Sequence, residues 1–429
     1  MAGHGAMICQ KQKPGIGRIE QGKARIQTQQ TNARPSRAAY VFRVGFPGRG
    51  DRHGIKAAIG ASHMRAQQGW IGAQIAHRGA VMFDERRLPE LLARGSLMLE
   101  FTLMRGEQSP LPLIHLHQRE GWRNFLSLNL DVDGRIVLAQ RRGSAVHAIS
   151  IDATQERLTG GRMRLTWRWD GPGRESLLTL EALDQRTIRQ QAGMAPLPLT
   201  RDEAAALLDP AGPARIGPRV DWLALGDHLQ PMGPAGCFAP ATPIQTPEGV
   251  VPAARLRAGD LVETLDAGPQ PVLWSGRVSL PAIGHLRPVK LCAPVFSARQ
   301  DLWVMPQHRV ALSGPSVDFI FGEDEVLIEA RSLADGCAAL QPDCPGVLEW
   351  HGLLLGGHHL LMADGCKLES LHIGRLARQP LLAATTAFAG LVREGGLPLH
   401  RKPVRKIVSG YEAKTLASAR RQGLRPFVA

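Results

Sequence analysis

Cysteine is too scarce in this chain to build a disulfide framework: there are 6 in 429 residues, and no two stand at CxxC spacing. That excludes a small cystine-stapled fold and leaves reduced thiols as the default. Near the N-terminus no run has the charged, apolar and small-residue order of a secretory signal. The apolar stretch PLLAATTAFAGLV at 380–392 is too short to span a bilayer. The chain therefore reads as soluble, with no membrane span, cytoplasmic by default and with signal-less secretion left open. The motifs of several enzyme classes are also missing. No G-x-S-x-G elbow, P-loop, G-x-G-x-x-G after a strand, or H-E-x-x-H occurs in a matching context. The glycines of GFPGRG at 45–50 lack a flanking strand and helix and count as loop.

Acidic residues are scarce only at the two ends. Residues 1–79 hold 13 Lys and Arg against Glu20 and Asp51, and residues 373–429 hold 11 against Glu394 and Glu412. The overall formal charge of +14 is thus a property of the ends, and the middle of the chain is mildly acidic. A basic arm without interleaved aromatics or a recognised binding fold implies no specific nucleic-acid partner, and nucleic-acid binding through the basic ends stays a third reading of the chain. Residues 1–79 also show no sustained period of 2 or 3.6, so they read as a disordered leader. A true start at Met64 or Met82 would explain them equally well.

What is present is alternation. In LSLNLDVDGRIVLAQ, Leu126, Leu128, Leu130 and Val132 alternate with polar residues, Asp133-Gly134 supplies a turn, and Ile136 and Leu138 resume the pattern. In MRLTWRWD, Met163, Leu165, Trp167 and Trp169 share one face. With SLMLEFTLM, PLIHLH, HAISID and SLLTLEAL, and one helical stretch at RDEAAALL, these runs predict an antiparallel β-sandwich over residues 80–230. In outline it resembles the concanavalin-type lectin and glucanase sandwiches, which makes a glycan a possible partner; the plain alternative is a structural sandwich with its tryptophans in the core. LQPMGPAG at 229–236 reads as a Pro/Gly linker. A second β-rich region follows over 231–372, and a basic, partly helical tail closes the chain over 373–429.

The second region opens with Gly-Cys-Phe at 236–238 and continues with TPIQTPEGVVPAARLRAGDLVETLD, DLWVMPQHRVAL at 301–312, FGEDEVLIEARSL and HHLLMADGCKLESLH. In this order the motifs resemble the bacterial Hint (hedgehog/intein) domain. The resemblance implies a compact all-β horseshoe that cleaves the peptide bond before Cys237. A Cys237 thiolate attacking the Gly236 carbonyl would exchange the amide for a thioester. Glycine suits that position, because it is unhindered and tolerates a strained backbone. By the same resemblance His308 is the general acid aimed at the leaving nitrogen, and His358 either supports proton transfer or holds strands together. His359, expected on the other face of its strand, is a weaker candidate.

One position departs from the family pattern. The hydroxyl residue three places before the histidine is replaced by Met305, which has no donor to offer. The alternative to self-cleavage is accordingly a degenerate Hint fold serving as a structural or binding module. No asparagine follows Cys237, so asparagine-driven splicing is excluded and a thioester would end in hydrolysis or transfer to an external nucleophile. No cofactor is implied. His351, His358, His359, Cys366 and His372 carry soft-metal ligands, but their gaps match no standard zinc spacing, and no metal site is assigned.

Overall fold

The computed structural model describes residues 69–76, 78–117, 124–234, 236–344 and 346–424; the greater part of the expected leader lies outside them. The chain is mainly β, with antiparallel sheets in both halves and a helical segment, Gly410–Leu424, near its C-terminus.

In the first half a seven-stranded sheet runs in the order Thr187–Met194, Glu175–Ala182, Gly161–Asp170, Arg94–Leu103, Val220–Gly226, Trp70–Ile75, Gly79–Phe83. A five-stranded sheet, Arg215–Ile216, Leu111–His117, Asn124–Leu130, Arg135–Arg142, Ala145–Asp152, packs against it through one apolar core. The alternating residues do what their period predicts: Leu126, Leu128, Leu130, Ile136 and Leu138 are all buried. Val132 does not join them. The strand ends at Leu130, Asp131 accepts the backbone N–H of Arg135 at 2.8 Å, and Val132 is left exposed in the turn. Trp167 and Trp169 stack on each other at 4.3 Å inside the core, so neither presents a ring to a ligand. The helix Arg201–Leu208 starts with a capping box in which Thr200 and Glu203 satisfy each other's backbone N–H groups.

The sheet begins ahead of residue 80. Trp70–Ile75 pairs with Val220–Gly226, and the Trp70 indole donates to the Ser279 carbonyl at 2.8 Å. A chain begun at Met82 would lack this strand.

The second half is built on a curled eight-stranded sheet in the order Val347–Leu355, Gly268–Pro281, Leu261–Thr264, Leu360–Ala363, Cys366–Glu369, Arg309–Ser313, Glu325–Glu329, Lys406–Val408. A smaller sheet joins Leu302–Val304, Val289–Leu291 and Ala339–Leu340. The turns TPEGV and LRAGD form at Gly249 and Gly259, both at positive φ. Lys406–Val408, within the stretch read as tail, pairs in parallel with Glu325–Glu329.

The halves share a buried contact. Trp70, Met98 and Trp222 from the first pack with Val278, Leu280, Ile283, Leu286, Met305 and Trp350 from the second. At its edge Glu100, fully buried, accepts Arg164 at 2.6 Å, the Trp222 indole at 2.8 Å and the His285 backbone N–H at 3.1 Å. Burial alone would push the Glu100 carboxyl up, but Arg164 and His285 hold it down at about 2. Gly284 lies at φ +54°, and a Cβ there would fall 2.0 Å from the Trp222 indole nitrogen, so only glycine lets the loop close on this cluster. The segment expected to be a linker is also pinned: Met232 is buried and its N–H meets the Thr385 carbonyl, while Arg168 bridges the Gln230 and Thr385 carbonyls.

Candidate functional site

Residues 237–239 thread between two strands. Phe238 bridges Val304 on one side and His351 on the other. The N–H groups of Cys237 and Phe238 both reach the His351 carbonyl at 2.9 Å, and the Cys237 carbonyl accepts the Met305 N–H at 3.0 Å. The peptide nitrogen of Cys237 and the carbonyl beyond it are thereby fixed. Ahead of them Gly236 is buried against the opposite strand: a Cβ would come 2.4 Å from the His351 carbonyl carbon and 2.6 Å from the Gly352 nitrogen. Any other residue would push the strands apart.

The Cys237 thiol is half-buried, and three influences set its acidity. Burial pushes it up most, the Glu369 carboxylate pushes the same way, and Arg309 opposes them; the result lies far above an ordinary thiol. At neutral pH the resting group is the thiol.

His308 follows the strand Leu302–Val304 through a turn closed by its N–H on the Met305 carbonyl at 3.0 Å. Its ring sits edge-on to Phe238 at 4.9 Å, which ties it to the residue after the thiol. The imidazole is buried, its Nε2 has no hydrogen-bond partner in the protein, and burial lowers its pKa to about 4 despite the nearby Glu369.

Glu369 and His372 were not among the catalytic candidates of the sequence. Glu369 is buried and accepts the Arg309 backbone N–H at 3.0 Å, the Arg309 guanidinium at 2.8 Å and His358 Nε2 at 3.1 Å. Burial raises its pKa, but His358 and Arg309 more than offset this and keep it ionised. His358 Nδ1 in turn accepts the Val404 N–H at 3.0 Å, which fixes the neutral tautomer carrying its proton on Nε2. Both of its nitrogens are therefore engaged within the protein. His372 packs its ring 4.7 Å from His358 and 5.8 Å from His400.

A cleft of about 670 Å³ opens between the halves, and its lining includes Cys237, His308, Arg309, Glu369 and His372. The first half contributes Arg164, Glu181 and Arg186, the last bonded to Glu329 at 2.5 Å. Neither His358 nor His359 lines it. Met305 is fully buried in the apolar contact between the halves, with Cys237 packed at that cluster's border. His351 bonds Glu349 at 2.9 Å and Cys366 is sealed in the core, so both stand apart from the packed pair His358 and His372; among the described residues no group of three or more His, Cys, Asp or Glu is arranged to hold a metal.

A half-buried thiol directly after a buried glycine thus shares one cleft of the curled β-sheet with a neutral imidazole. Residues 236–375 match the family described as Hint domain, and the chain carries that domain after its N-terminal antiparallel sheets. A search among curated proteins finds no match. Among solved structures, the chain is similar to the Ruminococcus gnavus IT-sialidase CBM40 bound to alpha2,3 sialyllactose, at 9% identity over 32% of this chain and 78% of that one, TM-score 0.24. It is also similar to a splice-inactive variant of the AceL NrdHF class 3 split intein, at 13% identity over 32% and 97%, TM-score 0.22. Chicken galectin 2 matches at 7% identity over 37% and 93%, TM-score 0.16. Among the described residues no helix is long and apolar enough to cross a membrane.

Proposed function

We propose that the chain cleaves itself between Gly236 and Cys237 through a thioester, which water or a small nucleophile then resolves. The observation that carries this reading is the junction itself: a glycine with no room for a side chain, followed by a cysteine whose backbone is held from both sides. An ordinary thiol is only a few per cent ionised at pH 7, and the Cys237 thiol is less so. Attack must then coincide with proton removal. Neutral His308 suits this role: it accepts the thiol proton as sulfur attacks the Gly236 carbonyl, then passes the proton to the Cys237 nitrogen as the C–N bond breaks. The leaving nitrogen stays tethered to the His351 carbonyl by its N–H. His358 acts at one remove, by fixing Glu369, whose charge favours the imidazolium that forms on His308.

A second reading has its own support. Met305 places an apolar side chain where the family has a hydroxyl, and losing one such donor costs about 10²-fold or more in rate. Under that reading the domain is a scaffold that holds the sandwich. Intact-mass spectrometry of the full chain and of Cys237→Ala, with and without dithiothreitol, separates the two. Fragments breaking between Gly236 and Cys237 in the wild type alone support self-cleavage; two intact proteins support the scaffold.

A further inference from the structure

Transfer through a thioester asks for proton handling twice, once for the leaving amine and once for the incoming nucleophile. The cleft contains two imidazoles whose Nε2 atoms are buried without a hydrogen-bond partner in the protein, His308 and His372. Resting on the self-cleavage reading, we propose that His372 is the base that activates a hydroxylic acyl acceptor, water or an alcohol, in the second step.

The neighbouring histidines single it out. His358 spends Nε2 on Glu369 and Nδ1 on the Val404 N–H. His400 spends Nε2 on the Leu355 carbonyl and Nδ1 on the Ile373 N–H. Each has both ring nitrogens engaged within the protein, and the ring of His372 packs against both. Leaving a buried polar atom unpaired is costly, and this nitrogen is unpaired at the wall of the cleft that holds Cys237. Burial most of all, and then His358, Arg309 and His400 around it, disfavour its protonation, while Glu369 favours it. His372 is thus a neutral base at pH 7, with a carboxylate beside it to receive the charge it acquires.

The step balances. His372 Nε2 takes the proton of the acceptor O–H as oxygen attacks the thioester carbonyl of Gly236. The C–S bond breaks, sulfur leaves with the electron pair, and the proton returns from His372 to Cys237. Thiol acceptors ionise by themselves and need this help least.

The test follows fragment appearance by intact mass in full-length wild type, His372→Gln and His372→Asn, with water as sole acceptor and separately with dithiothreitol or hydroxylamine. Both variants are expected to hydrolyse about 10²-fold more slowly than wild type, to accumulate a thioester that dithiothreitol discharges, and to lose the acid limb of the hydrolysis pH profile. Hydrolysis within twofold of wild type overturns the assignment. So does an equal fall in the dithiothreitol reaction, which would put His372 in the first step or in the stability of the fold. A wild type that stays whole in every arm removes the self-cleavage reading instead.

Discussion

The α-carbon of Gly236 lies against the backbone of Gly352, so close that a Cβ on Gly352 would come 3.0 Å from it. The opposite addition is worse, at 2.4 Å from the carbonyl carbon of His351. Gly236→Ala should therefore separate the strand from the Cys237 segment and break the paired N–H contacts to His351. The expected result is a loss of roughly 1–3 kcal/mol, the usual cost of overpacking, together with slower cleavage. Gly352→Ala, whose nearest contacts would be at 3.0 Å, should cost less. Thermal melts of both variants rank them.

Met305 is the residue the family pattern would replace with a hydroxyl, yet its side chain fills the apolar contact between the halves. Met305→Leu conserves volume and should cost less than about 1.5 kcal/mol. Met305→Thr removes packing and buries a hydroxyl, at roughly 2–4 kcal/mol. Urea unfolding of the two variants measures the difference. A Thr variant as stable as wild type would mean that the contact between the halves contributes little.

The buried imidazoles predict acid sensitivity. An unfolded histidine binds a proton below about pH 6.5, whereas His308 resists protonation down to about 4. Between these values the unfolded state holds more protons, so stability falls as pH drops through the window. One such group contributes a slope of up to about 1.4 kcal/mol per pH unit. His372 adds a slope of the same sign. Urea midpoints of wild type and His308→Gln between pH 7 and 4 check this: the variant's pH dependence should be shallower.

Glu100 has the complementary signature at the contact between the halves. Its folded pKa of about 2 lies below that of an unfolded glutamate, so its contribution is complete above about pH 5 and disappears as pH falls toward 2. Removing Arg164 as Arg164→Met leaves the carboxylate buried without its guanidinium partner, which costs roughly 3–5 kcal/mol. After thiol-induced cleavage, the two wild-type fragments should co-elute in size-exclusion chromatography at pH 7, and those of Arg164→Met should separate. Two separate peaks from the wild type would show that the contact does not hold the halves together.

Period and turn chemistry carried most of the first half, because alternating residues such as Met163, Leu165, Trp167 and Trp169 face one core. Val132 broke the pattern because the Asp131 side chain opens the turn two residues early. At the site, Cys237 and His308 were legible as ordered motifs, while Glu369 and His372 were not, since their importance depends on which residues meet across the sheet. Glu369 reads locally as one polar residue of a short strand; only folding brings Arg309 and His358 onto it. The strand Lys406–Val408 stayed hidden in a basic stretch too short to show a period.

That strand also sets an order of events. His358 needs the Val404 N–H to hold its tautomer, His372 packs on His400, and Lys406–Val408 borders Glu325–Glu329 in the main sheet. All three lie more than 160 residues after Cys237 in the order of synthesis. On the ribosome, the thiol emerges long before the groups that complete its surroundings, so the site cannot be finished on a half-made chain. Topology alone places the partners of His358 and His372 among the last parts of these surroundings to be made.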